Sequence, residues 1–161
     1  MSELGVERAM LKEKQQQCLE YGPIYTAVEA AERGIDVVTT MKNYLREVPE
    51  AFYKRKVDAV AKTSERYEIH DGLLYRRVYD ERDHEIQLRL VAPEGKIGRF
   101  EVPGEGEEPL GIREKLLLTY HNSRIGGHMG ADKTVERIAK DWYWTGLYQD
   151  VDVWCKHCEL C

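Results

Sequence analysis

Three histidines and three cysteines crowd the stretch HNSRIGGHMGADKTVERIAKDWYWTGLYQDVDVWCKHCELC, which runs from His121 to Cys161. Six residues separate His121 from His128, and 29 separate His128 from Cys158. Neutral imidazole nitrogens and thiolates are the ligands zinc prefers, and a structural zinc site is tetrahedral and closed, with no position left for water. Two His and two Cys would complete such a shell around a neutral centre. C-x2-C occurs twice, as Cys155 with Cys158 and as Cys158 with Cys161, with His157 inside the first pair. Spacing alone does not choose between them.

Two short helices must bring these side chains together. Ala131 to Lys140 places Ala131, Thr134, Val135 and Ile138 at i, i+3, i+4 and i+7, and Leu147 to Lys156 places Leu147, Val151, Trp154 and Cys155 on one face. Helices this short need tertiary support, because nucleation is costly. A metal clamp would supply it. On this reading Cys155 belongs to an apolar face, where a free thiol behaves as a small hydrophobe, which favours Cys158 with Cys161 as the ligand pair.

HNSRIGGHMGADKT, then WYWTGL, then DVDVWCKHCELC resembles the N-terminal zinc-binding domain of integrases from gypsy-type long-terminal-repeat retrotransposons. The resemblance implies a His, His, Cys, Cys order of ligands, carried by position onto His121, His128, Cys158 and Cys161, with one structural Zn2+ clamping a helix-turn-helix-like bundle. Gly127, Gly130, Lys133, Thr134, Trp144, Gly146, Asp150 and Val151 also fit the family pattern. Thr145 departs from it, standing where proline is usual. Upstream, EIHDGLLYRR resembles the small hairpin that precedes the zinc domain in these integrases.

Composition excludes several classes. A hydrophobic fraction of 42% beside 33% charged residues is that of a globular chain. No apolar run approaches the roughly 18 residues of a membrane span, and MSELGVER lacks a basic-then-apolar signal. The expected setting is intracellular, nucleus or cytoplasm, with reduced, metal-bound thiols rather than disulfides. Residues 113–161 carry 7 basic and 7 acidic side chains, a poor footprint for strong DNA binding, which rests on phosphate neutralisation. DNA contact through Lys133, Arg137 and Lys140 is therefore expected to be weak alone. GGHMGADKT is not a phosphate-binding loop, because Asp132 rather than glycine precedes Lys133. Most of the aromatic set Trp142, Tyr143, Trp144, Tyr148 and Trp154 is assigned to the core, with one ring left exposed.

Further upstream the pattern predicts an α+β chain: N-terminal helices, a small antiparallel three-stranded sheet, and the zinc-stabilised bundle. Residues 1–62 read as helical, with Leu4, Met10, Leu11, Cys18 and Leu19 as patchy apolar positions, an interruption at Gly22-Pro23, a stop at Gly34 and a further helix over Ala51 to Lys62. Cys18 reads as an ordinary buried or half-buried thiol, Gln15 to Gln17 is too short a run to count as low complexity, and these helices carry no recognisable chemistry. Residues 67–92 alternate as half-buried strands do, through Tyr67, Ile69, Leu73, Tyr75, Ile86, Leu88 and Leu90, with Asp71-Gly72 as a two-residue hairpin turn. His70 and His84 lie near turns and read as surface histidines. Residues 93–111 form an acidic Gly/Pro-rich linker in which Ile97 to Val102 offers a short strand. Residues 112–161 make up the zinc domain, opened by a helix with Ile112, Leu116, Leu117 and Tyr120 inward.

A filled shell of four protein ligands leaves no open position for catalysis. The resemblance implies that strand transfer belongs to a separate core domain holding magnesium on three carboxylates, so this chain, ending at Cys161, is expected not to be an enzyme. The expected partners are DNA, and either self-association or an integrase core domain. No membrane and no small-molecule substrate is expected.

Overall fold

A computed structural model of the chain describes residues 7–46, 50–94, 111–122 and 127–160, the side chains of 50–55 aside. The N-terminal half is helical: α1 (Arg8–Gln17), α2 (Tyr21–Glu32), α3 (Val37–Tyr44) and α4 (Glu50–Ser64). The break between α1 and α2 falls at Cys18 to Glu20, not at Gly22-Pro23, which lies in the first turn of α2. Proline is tolerated there because a first-turn N–H has no partner within the helix. Leu19, read as apolar periodicity, sits in that break and is 92% exposed. At the other end of α2, Gly34 adopts φ 69°. It lets the Gly34 and Ile35 N–H groups donate back to Ala31 and Ala30, a left-handed cap that favours glycine. Asp36 caps α3 by accepting the Thr39 N–H.

The sheet follows as β1 (Tyr67–His70), β2 (Leu73–Asp80) and β3 (Glu85–Val91), paired antiparallel. Asp71 and Gly72 take φ 52° and 78°, the pair of positive values that an I′ turn requires. The expected three strands are four, however, and the sheet is mixed. A fourth, β4 (Trp142–Tyr143), comes from the zinc region and runs parallel to β3, with Leu90 opposite Trp142 and Val91 opposite Tyr143. The reason is backbone satisfaction: Leu90 N–H donates to Asp141 and Ala92 N–H to Tyr143, giving partners to buried groups at the end of β3. Exposure departs from simple alternation too, since Ile86 and Leu88 are 64% and 39% exposed.

The C-terminal part contains α5 (Ile112–Leu117), a π-helical turn over Leu118–Asn122, α6 (Ala131–Ile138) and α7 (Leu147–Lys156). Helices α6 and α7 pack on each other. They are joined through β4 rather than by the short turn of a helix-turn-helix unit. One core cluster runs through the chain, from Leu11, Tyr21 and Val28 through Leu73 and Leu74 to Leu116, Ile138, Trp142, Trp144 and Val151. Arg113 reinforces the junction: its Nε donates to the Ala92 carbonyl at 3.0 Å, and its guanidinium lies 3.6 Å from Glu20 and 5.7 Å from the Trp144 ring centroid. Ile97 to Val102 lies outside the described residues.

Candidate metal centre

Each ligand candidate is delivered by a local device. Ile112, Leu116 and Leu117 bury one face of α5, and the π turn that continues it swings His121 into the interior, where it is 0% exposed. Single π turns in helices recur at functional sites. Gly127 and His128 then take positive φ values of 62° and 49°, and the His128 N–H closes the loop on the His121 carbonyl at 3.0 Å. That turn sets the two imidazoles edge to face, with centroids 5.2 Å apart. From the opposite side, α7 ends at Lys156 and Cys158 follows within a turn whose N–H bonds the Cys155 carbonyl at 3.3 Å. Its sulfur lies 3.3 Å from His128 Nδ1.

His121, His128 and Cys158 thereby offer three ligand atoms within 4.8 Å of one another. Ligand distances of about 2.0–2.3 Å to zinc put neighbouring ligands of a tetrahedron some 3.3–3.8 Å apart, so closing on an ion needs only a small contraction. The protonation states agree with that use: burial, and then the neighbouring His128, hold His121 below the usual histidine pKa, favouring the neutral imidazole that a metal binds. Thr134, buried on α6, fixes the ring. Its hydroxyl lies 3.1 Å from the Met129 and Gly130 carbonyls and 3.3 Å from His121 Nδ1. A hydroxyl set beside the ring in this way is the kind of outer contact that orients a metal-binding imidazole.

Cys155 touches this centre without joining the three-ligand group. Its sulfur is 3.5 Å from His121 Nδ1, and burial pushes its thiol pKa up. Cys161 lies outside the described residues. Of the basic residues singled out from sequence, Lys133 is exposed but paired with Glu136 at 3.0 Å, Lys140 is exposed, and Arg137 is half-buried. Trp142 and Trp144 are buried, while Tyr148 is the ring left 52% exposed. His70 and His84 are exposed near turns, away from the centre. The contact of Thr134 with His121 went unread in sequence, where Thr134 appeared as a helical-face residue and as one that fits the family pattern; a hydroxyl that helix periodicity turns toward a candidate ligand histidine was the available signal.

The comparisons bear on the same stretch. Residues 108–161 match the integrase zinc binding domain. That family's metal is zinc, and the three gathered side chains lie inside the match. Among known proteins, the human Gypsy retrotransposon integrase-like protein 1 is 29% identical over 79 residues, covering 47% of this chain and 14% of the relative. The mouse protein of the same name is 30% identical over 79 residues, and the cattle protein 26% over 90. The chain thus spans about a seventh of the length of the human and mouse relatives. No solved structure is a significant match. Among the described residues no helix is long and apolar enough to cross a membrane.

Proposed function

We propose that this chain is the zinc-folded, non-catalytic module of a retrotransposon-type integrase, or a derivative of one, contributing DNA-end binding and assembly of an integration complex. The observation that carries the reading is the convergence of His121, His128 and Cys158 inside the stretch that matches the integrase zinc binding domain. One structural Zn2+ is held by His121, His128, Cys158 and Cys161. The geometry of Cys155, beside the group rather than in it, favours Cys161 as the fourth ligand. Zinc lost from the Cys161→Ser chain and retained by Cys155→Ser is the expected result, and the reverse overturns the assignment.

DNA contact falls to Lys133, Arg137 and Lys140, and nuclear or cytoplasmic thiols remain reduced enough to hold the metal. Strand transfer is assigned to a different domain. Fluorescence anisotropy of the zinc-loaded chain on duplex DNA across a salt series tests the role: binding that needs zinc and weakens steeply with salt supports it. One observation favours a second reading, a protein-interaction module without significant DNA binding. Lys133 is already paired with Glu136, which removes part of the small cationic surface. Absence of DNA binding at low salt by a folded, zinc-loaded chain decides for that reading.

A further inference from the structure

Among the described residues, the outer edge of β3 is half used. Strand β4 covers it at Leu90 and Val91 only, and among the described residues nothing pairs with Glu85 to Arg89 on that side. Leu90 N–H and Ala92 N–H point outward to β4, so by the alternation of an antiparallel ladder the outward groups of the uncovered stretch are those of Ile86 and Leu88. Both side chains are exposed, and Ile86 stands opposite Tyr79, itself 58% exposed. Unpaired edges of this kind template strand addition.

Charge along the edge selects the partner. Within the chain Glu85 faces Asp80 and Arg89 faces Arg76, two like-charge pairs of the sort that destabilise a ladder. Neither Glu85 nor Arg89 makes an ion pair among the described residues, and Arg89 Nε is buried without a hydrogen-bond partner. An antiparallel copy of the same strand, centred on Gln87, would oppose Glu85 with Arg89 at both ends. The same register opposes Ile86 with Leu88, which are the two residues whose backbone groups point outward, so parity and charge agree on one alignment.

We propose that the Glu85 to Arg89 edge of β3 is a self-association surface, on which a second copy of this chain pairs antiparallel about a two-fold axis through Gln87. Four backbone hydrogen bonds between Ile86 and Leu88 join the copies, and the exposed strip of Tyr79, Ile86 and Leu88 becomes continuous across the joined sheets. A five-residue edge is small for an interface, so the dimer forms as concentration rises rather than obligatorily. The inference stands independently of zinc and of DNA binding.

Sedimentation velocity of the full zinc-loaded chain over a concentration series tests it. The unaltered chain shifts from monomer to dimer. Arg89→Glu and Glu85→Arg each place like charges at both ends of a self-pair and remain monomeric, with zinc content and circular dichroism unchanged. Mixed together, these two variants present opposite charges at every contact and form a 1:1 heterodimer. A chain that stays monomeric throughout, single variants that dimerise like the parent, or a mixture that fails to associate would each overturn the proposal.

Discussion

The hydroxyl of Tyr21 accepts the backbone N–H of Thr145 at 2.9 Å and lies 3.2 Å from its Oγ1, tying α2 to the turn that opens α7 across 124 residues of sequence. Thr145 is the position where the resemblance leads one to expect proline, and proline has no N–H to give. The departure thus has a structural use: this chain spends the amide on a tyrosine buried in its helical half. Thr145→Pro is expected to destabilise by about 1–3 kcal/mol, the cost of leaving a buried polar group poorly satisfied. Thr145→Ala keeps the N–H and should cost less, and urea denaturation of the pair measures the difference. Equal losses would show that the amide contributes nothing.

The same hydroxyl makes an alkaline prediction. Burial pushes the Tyr21 pKa up from 10.0 to about 12, and burial raises Tyr67 and Tyr25 as well. A folded-state pKa above the unfolded value means the unfolded chain loses its proton first as pH rises, so stability is complete below about pH 10 and falls above it. Tyr21→Phe removes one titrating group, and its stability should decline less steeply between pH 10 and 12 than that of the unaltered chain. Denaturant midpoints across that window, with identical slopes for the two proteins as the adverse result, provide the check.

Gln15 plugs the end of the β2–β3 ladder, just past its last pair, Tyr75 with Leu90. Its side-chain oxygen accepts the Leu74 N–H at 2.8 Å, and its amide donates to the Leu74 and Val91 carbonyls at 3.1 and 2.9 Å, all in a fully buried setting. Gln15→Leu would leave three backbone groups without partners, and at about 1–3 kcal/mol for one such group a loss of at least about 2 kcal/mol is expected by chemical denaturation. A neutral effect would mean that water reaches these strand ends.

These two contacts mark where sequence reading stops. The hairpin was legible because Asp71-Gly72 demands a particular backbone, α7 because its apolar residues recur at helical spacing, and the metal residues because their chemistry is distinctive. Gln15 looked like one polar residue in a glutamine run, since nothing local tells a buried amide from a solvated one. Strand β4 was missed for a related reason: two residues have no periodicity, and their pairing with Leu90 and Val91 is set by long-range docking. Gly22-Pro23 misled because proline was read as a break rather than as a first-turn residue. Of the candidate site, the residue types, their spacing and the apolar face that holds Cys155 were visible; Thr134's hold on His121 and the approach of the Cys155 sulfur to that ring came only with the fold.

Metal removal should therefore reach beyond the residues around the ion. Trp142, Trp144 and Val151 share one core with Leu11, Tyr21 and Leu74, and β4 depends on the path of the chain between the two ends of the metal centre. Zinc binding to the folded state alone adds stability by mass action, about 4 kcal/mol at a thousandfold excess over the dissociation constant. Chelation is expected to lower the melting temperature of the whole chain and to speed hydrogen exchange at the Leu90 and Ala92 amides, whose acceptors are Asp141 and Tyr143. Amides in the β1–β2 ladder, held within the antiparallel hairpin, should lose less protection. If chelation removed the zinc yet left Leu90 and Ala92 as protected as before, docking of β4 would be independent of zinc, and the ion would serve only the local turn around His121 and His128.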